Sequence, residues 1–378
     1  MDIEAPTALL GGLSPARFMR RHWQKTPLLV RQAWPGVQPP LARPALLALA
    51  GHDGVESRLL TQVGGQWRLR QGPFARATLP SLKQPGWTLL VQGLDLHCEA
   101  AHAMRQRFAF AGEARLDDVM LSFATDGGGV GPHIDAYDVF LLQVQGQRRW
   151  RVGRVADAAL KEGVPVKQLR HFEPEFDWLL EPGDMLYVPP LWGHDGVAVG
   201  ECMTASVGFR APRRSDLARD LLSHLADEVE TDDAEPPLRD RPAAAVEPGR
   251  VPPSLRQAAE SALRSALRSP QTLDRVLGML LTEPKPQVWF DAGQALPDAI
   301  PGLRLDRRSR MMYDPRHIFI NGEAFVASGK DARLLRRLAD ERALDAKASA
   351  GFSTEARQQL ADWALAGWLH AGAAAAEM

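Results

Sequence analysis

Cysteine is almost missing from this chain of 378 residues. Its two cysteines, Cys98 and Cys202, allow neither a disulfide framework nor a Cys-x-x-Cys metal knuckle, so a reducing, cytoplasmic setting is expected. Net charge is nearly absent too. At a formal −1, no global field draws the chain to nucleic acid or to a membrane surface. Long apolar runs are also lacking: Ala45 to Ala50 is among the longest, far short of the roughly 20 residues a membrane span needs. The opening MDIEAPTALLGGL has no basic leader and is not expected to be a signal peptide. Lysine is sparse at seven, yet hydrophobic residues at 45% and charged residues at 24% are ordinary for a soluble globular protein of two or three domains.

Local signals divide the chain. Ser14-Pro15 opens a helix with an N-cap and a first-turn proline, and Thr26-Pro27 stops it. Leu28 to Val30 reads as a short buried strand, residues 57–71 as a hairpin turning at Gly64-Gly65, Trp87 to Val91 as a strand and 95–108 as a helix. From Asp117 to Phe209 short β-rich runs alternate with Gly and Pro turns, the pattern of an antiparallel sandwich or barrel. Beyond Arg210 an apolar stripe through Leu217, Leu221, Leu222, Leu225 and Val229 predicts a helix capped by Ser215. An acidic, Pro-rich linker is expected at 230–253, then a helical block to Leu281 interrupted at Pro270. In the last segment Asn321-Gly322 marks a hairpin between helices at 331–340 and 353–370, which suggests a winged-helix-like module. The expected domains are an α+β catalytic domain over 1–210, a helical region over 211–283 whose apolar stripes suit dimerisation, and the C-terminal module over 284–378.

The chemistry concentrates at Leu121 to Arg151. His133 and Asp135 are separated by one apolar residue and would share one face of an extended segment. An imidazole and a carboxylate converging in this way suit a divalent first-row metal, and two His with one carboxylate is the set of non-haem Fe(II) oxygenases. The preceding GGGVG lacks the Gly-Lys-Ser/Thr ending of a phosphate loop. Among the remaining histidines, His194 follows a turn-strand-Pro-Pro unit, EPGDMLYVPPLWGH, and is the expected third ligand. Against this stands the commoner fate of an isolated His-x-Asp, a surface pair. Zn(II) or Mn(II) would also accept the set.

The run GGGVGPHIDAYDVFLLQVQGQRRWRVG, with EPGDMLYVPPLWGH, SVGFRAP and the N-terminal HWQKTPLLVRQA, closely resembles the bacterial JmjC-type ribosomal-protein oxygenases. The likeness covers nearly the whole chain. It implies a double-stranded β-helix (cupin/JmjC) holding Fe(II) through His133, Asp135 and His194, with 2-oxoglutarate and O2 as cosubstrates. The implied activity is hydroxylation of an arginine side chain of a large-subunit ribosomal protein. Parity cannot choose between Arg148 and Arg149 across the Gly146 turn; the resemblance assigns Arg148 to the far carboxylate of 2-oxoglutarate, a task suited to a guanidinium fork. On the strand before the glycines Asp118, Met120, Ser122 and Ala124 share a face. Turned inward, Ser122 would bond cosubstrate or substrate, and Asp118 would receive a substrate guanidinium. Tyr137 could stack on that guanidinium, and Ser206 is a further pocket residue. Ala124 departs from the polar residue expected in relatives.

Other readings are a hydroxylase of histidine or another side chain, a metal-binding cupin without oxygenase activity, and a nucleic-acid-binding protein using the C-terminal module. The basic run at 304–310 favours the last, whereas the balanced charge of the chain disfavours it.

Overall fold

The structure, a computed structural model, describes residues 2–227, 249–267 and 270–372. It divides into two compact units, Met1–Ala211 and Pro212–Met378. Among the described residues no helix is long and apolar enough to cross a membrane.

The first unit begins with α1 (Pro15–Arg21), where Ser14 accepts the Arg17 N–H as the sequence predicts. After it come β1 (Leu28–Val30), α2 (Arg43–Leu49), β2 (Ser57–Val63), β3 (Gln66–Gln71), β4 (Trp87–Val91) and α3 (Glu99–Gln106). The β2–β3 hairpin pairs Val63 with Gln66 across two glycines of positive φ, the primed turn that matches the twist of paired strands. The predicted helix over 95–108 is shorter than expected. A 3-10 turn at Leu94–Leu96 and an extended Cys98 precede α3, because Asp95 is spent on accepting the Val119 N–H of the neighbouring strand.

The barrel follows: β5 (Leu116–Ala124), β6 (His133–Ile134), β7 (Val139–Arg154), β8 (Phe176–Leu180), β9 (Met185–Val188) and β10 (Trp192–Phe209). All strand pairs are antiparallel. The main order is β1-β9-β7-β10-β5-β4-β2-β3, with β8 on β7 and β6 on β10 off that path. The long strands β7 and β10 serve two sheets because both bend at one place. The register shifts between Val199 and Thr204, and Gly146 turns there with φ +63. A Cβ on Gly146 would lie 2.2 Å from the Glu201 carbonyl oxygen, so only glycine fits the corner. Past the bend, β8-β7-β10-β6 forms a smaller sheet facing the larger one. This is the antiparallel barrel that the strand pattern predicts, in the double-stranded β-helix form that the resemblance implies.

Two apolar clusters follow from strand alternation. Phe140, Leu142, Met185, Tyr187, Leu121 and Phe123 join Phe18 and Leu46 from the helices, and Phe108 just beyond α3, on the outer face of the large sheet. Each such side chain contributes on the order of 1.5–3 kcal/mol. Their alternates Val139, Leu141, Leu186 and Val188 meet Trp150, Val152, Leu180 and Trp192 between the two sheets.

The second unit holds α4 (Arg214–Asp227), α5 (Pro253–Ala266) and α6 (Pro270–Thr282), then β11 (Gly302–Leu305), β12 (Met311–Tyr313), β13 (His317–Ile320), β14 (Glu323–Val326), α7 (Gly329–Glu341), β15 (Ala343–Asp345), α8 (Ala346–Ser349), α9 (Thr354–Leu365) and β16 (Leu369–Ala371). Ser215 is not the N-cap of α4, since the helix already includes Arg214. Most of the expected linker, and Val229, lie outside the described residues. Pro270 opens α6 at a position where a missing N–H costs nothing. Asn321 and Gly322, both of positive φ, turn β13 into β14 as predicted. The predicted helix over 353–370 stops at Leu365, and its last residues form β16 beside β11. The left-handed Gly367 turns the chain two residues beyond that end, so Trp368 is not helical.

Candidate active site

His133 stands on β6 directly opposite His194 on β10, which brings their rings to 4.2 Å between centroids, tilted by 55°. Asp135 extends the same segment, with its Oδ2 3.5 Å from His194 Nε2 and 4.0 Å from His133 Nε2. One potential ligand atom from each residue falls within 4.8 Å of the others. Both imidazoles are oriented from behind. His133 Nδ1 lies 2.8 Å from the Gly131 carbonyl oxygen, and His194 Nδ1 lies 3.2 Å from that of Trp192. A ring nitrogen facing a carbonyl must carry the proton, which leaves each Nε2 lone pair turned toward the shared space. Burial, reinforced by His194, holds His133 down at about 4, so it is neutral and able to coordinate at physiological pH. Burial pushes the Asp135 carboxyl up, but the His194 hydrogen bond and the charges of both imidazoles outweigh it, and the net direction is down. Two imidazoles and a carboxylate on one side of an open space fit a divalent cation.

Behind the triad, β7 presents Arg148 and Trp150 on its inner face. Trp150 sits against Gly196, where a Cβ would approach its ring to 2.6 Å. The indole centroid is 5.9 Å from the His194 ring, and the Arg148 guanidinium carbon lies 5.8 Å from an indole centroid. Arg148 is 4% exposed, and its Nε and Nη2 have no hydrogen-bond partner among the described residues; neither has Trp150 Nε1. Buried donors left unpaired cost about 1–3 kcal/mol each, so a built-in cluster of them calls for an acceptor from outside the chain. Arg149 points the other way and pairs with Asp177 at 3.0 Å on the surface. Beside Arg148 the wall is small: Ala198 faces it across the ladder and packs with Ala124 and Cys202. Ala124 therefore leaves space and adds no polar contact.

The facing wall comes from β5 and the far half of β10. Ser122 opposes Thr204, and Ser206 opposes Met120, so Asp118, Met120, Ser122 and Ser206 share the inner face. The Ser122 hydroxyl donates to the Thr204 carbonyl at 3.1 Å. Asp118, almost fully buried, accepts from Gln92 Nε2 at 2.8 Å. Tyr137, 41% exposed at the rim, hydrogen-bonds Asp135; burial and the charges of Asp135 and Asp118 raise its phenol. Sequence reading missed Trp150, Arg58 and Gln92. Counting by twos from Arg148 reaches Trp150, but Arg58 and Gln92 join the site only through the register of β2 and β4.

The JmjC domain family matches residues 103–217, and a ROXA-like winged helix matches 262–370. The chain is 40% identical over 215 residues to the ribosomal protein uL16 3-hydroxylase of Escherichia coli (56% of each chain). It is 36% identical over 210 residues to a probable ribosomal oxygenase of Haemophilus influenzae, covering 54% of this chain and 52% of that one. These alignments span about half the length of the curated relatives. Among solved structures it resembles E. coli ycfD, with a TM-score of 0.82 and 28% identity over 94% of this chain and 97% of that one. It also resembles the ribosomal oxygenase YcfD from E. coli in complex with cobalt and 2-oxoglutarate, with a TM-score of 0.78 and 29% identity over 95% and 98%.

Proposed function

We propose that this chain is an Fe(II)- and 2-oxoglutarate-dependent protein hydroxylase that modifies an arginine side chain of a large-subunit ribosomal protein. The observation that carries the reading is the pairing of two features in one barrel. A triad with three converging ligand atoms shares the barrel with a buried guanidinium whose Nε and Nη2 lack partners among the described residues. A metal site alone would not need Arg148. A ligand that chelates a metal with one end and presents a carboxylate at the other satisfies both features, and 2-oxoglutarate has that form. His133, Asp135 and His194 would hold the metal, which when bound with 2-oxoglutarate and O2 supplies oxidative decarboxylation coupled to hydroxylation of a substrate carbon.

The chain's own residues do the rest. Arg148 fixes the cosubstrate by a two-pronged bond, and the apolar wall of Val139, Leu141, Leu186 and Val188 keeps water out. Asp118 and Tyr137 favour a cationic side chain over an imidazole, because a buried carboxylate is best offset by a charge. The names of the E. coli and H. influenzae relatives support a ribosomal protein as partner. We also propose a homodimer built on the helical region 211–283, whose Leu222, Leu255, Leu263 and Leu273 are exposed, and residence in the cytoplasm. Nucleic acid is not proposed as a partner.

The test is anaerobic loading with Fe(II) and 2-oxoglutarate, addition of the organism's own large-subunit ribosomal proteins, admission of O2, and peptide mass spectrometry. A gain of one oxygen on an arginine is expected. The same gain on a histidine would transfer the assignment to the histidyl reading, and no gain on any protein would overturn the function. Sedimentation of the full chain against a truncation ending at 211 should show a dimer only for the former.

A further inference from the structure

The row of residues lying directly opposite one another across the large sheet runs Arg58, Leu90, Ser122, Thr204. Opposed residues share a face, so Arg58 on β2 faces the same space as Ser122, although it lies outside the segment matched by the JmjC family. Its Nη2 donates to Gln92 Oε1 at 3.0 Å and touches Met120 Sδ at 4.0 Å. Gln92 in turn donates its Nε2 to Asp118 at 2.8 Å. An amide held between a guanidinium and a carboxylate has one orientation, oxygen to the cation and nitrogen to the anion. Arg58 therefore sets Gln92, and Gln92 sets the Asp118 carboxylate.

Arg58 Nε is buried and has no hydrogen-bond partner among the described residues, and a buried donor left unpaired calls for an explanation. A peptide that inserts a cationic side chain here also brings main-chain carbonyls, and those need donors. Asp118 and the Asp135–Tyr137 edge are rich in acceptors; Arg58 supplies the donor.

We propose that Arg58 is a substrate-positioning residue: through Gln92 it orients Asp118 for the incoming cationic side chain, and its Nε receives a main-chain carbonyl of the bound peptide. The inference rests on the protein-hydroxylase reading above. It assigns to β2 and β4, outside the metal-bearing strands, a share in choosing the substrate.

The experiment uses the full-length protein with Fe(II) and 2-oxoglutarate under nitrogen, so that binding is read without turnover. The probe is a fluorescent uL16 peptide carrying one arginine, with a lysine-substituted copy beside it. Arg58→Met should weaken the arginine peptide by roughly tenfold, the worth of about one charge-assisted hydrogen bond. In aerobic assays the peptide KM should rise in step while the 2-oxoglutarate KM moves less than about twofold. Gln92→Ala, a smaller change to the fold, should show the same split, and Arg58→Lys should fail to restore binding because a lysine has no Nε fork. Wild-type peptide affinity in both Arg58→Met and Gln92→Ala, or a parallel loss of peptide and 2-oxoglutarate affinity, would overturn the inference. A wild-type protein that binds the lysine copy as well as the arginine peptide would overturn the parent reading, and this one with it.

Discussion

Replacing Arg148 by Met should act in opposite directions on the free and the loaded protein. In the free protein the guanidinium is 4% exposed, with Nε and Nη2 unpaired among the described residues. At about 1–3 kcal/mol per unsatisfied donor, removing both while keeping the aliphatic volume should raise stability by roughly 2–6 kcal/mol. For a unit of this size that corresponds to roughly 2–4 °C per kcal/mol. In the loaded protein the same change deletes two charge-assisted bonds to a carboxylate, each contributing about 1.5–3 kcal/mol. The 2-oxoglutarate requirement should therefore rise by at least about 100-fold. Wild-type protein at 100 times its dissociation constant gains about 2.7 kcal/mol from ligand, so its Tm should climb with 2-oxoglutarate while that of the variant stays flat. Differential scanning fluorimetry with and without 2-oxoglutarate, under Fe(II) and nitrogen, reads both effects. A variant that melts lower than wild type yet keeps the ligand-induced shift would show that Arg148 is a structural cation and refute the reasoning.

Asp135→Ala should abolish stoichiometric binding of Fe(II) or Co(II) after dialysis, measured by elemental analysis; one retained metal per chain would remove Asp135 from the ligand set. Asp95 gives a pH test free of metal. Burial raises its carboxyl from 3.8 to about 6 despite the Arg105 charge. A raised pKa favours the fold below pH 3.8, and that advantage is lost as pH rises through about 6. Asp95→Asn should thus gain on wild type by about 2–3 kcal/mol at pH 7 and by little near pH 4, and a pH-independent difference in urea midpoints would contradict the assignment. Gly146→Ala must place a Cβ against the Glu201 carbonyl in a left-handed backbone, so unfolding in urea should show a loss of about 2 kcal/mol or more; a wild-type midpoint would mean the corner is not tight.

The features legible in the sequence are those set by neighbours along the chain. Ser14-Pro15, Gly64-Gly65 and Asn321-Gly322 each specify a local backbone shape, and each appears where expected. His133 and Asp135 share a face by parity alone. Less legible were positions where a distant partner decides. Asp95 leaves a helical pattern to cap the Val119 N–H, and Leu369 and His370 leave one to pair with β11. Arg58 reads as one more alternating residue of a surface hairpin until the register places it opposite Leu90 and hence beside Ser122. The choice between Arg148 and Arg149 was of the same kind: the bend at Gly146 resets parity, and only the paired strand shows which guanidinium is inside.

That bend also separates the two tasks of the proposed site. His133, His194 and Arg148 all stand on the smaller sheet, on β6 and the adjoining halves of β10 and β7. Asp118, Met120, Ser122, Ser206 and, through Gln92, Arg58 stand on the larger one. Metal and cosubstrate would thus be held by one wall and the incoming side chain by the other. Interiors are close-packed, so a change of side-chain volume is felt first by the groups it touches. Substitutions on β2, β4 and β5 can therefore alter which side chain is accepted while the triad and Arg148 keep their geometry. The same barrel could then serve hydroxylation of arginine or of histidine, with the difference confined to residues that never touch the metal.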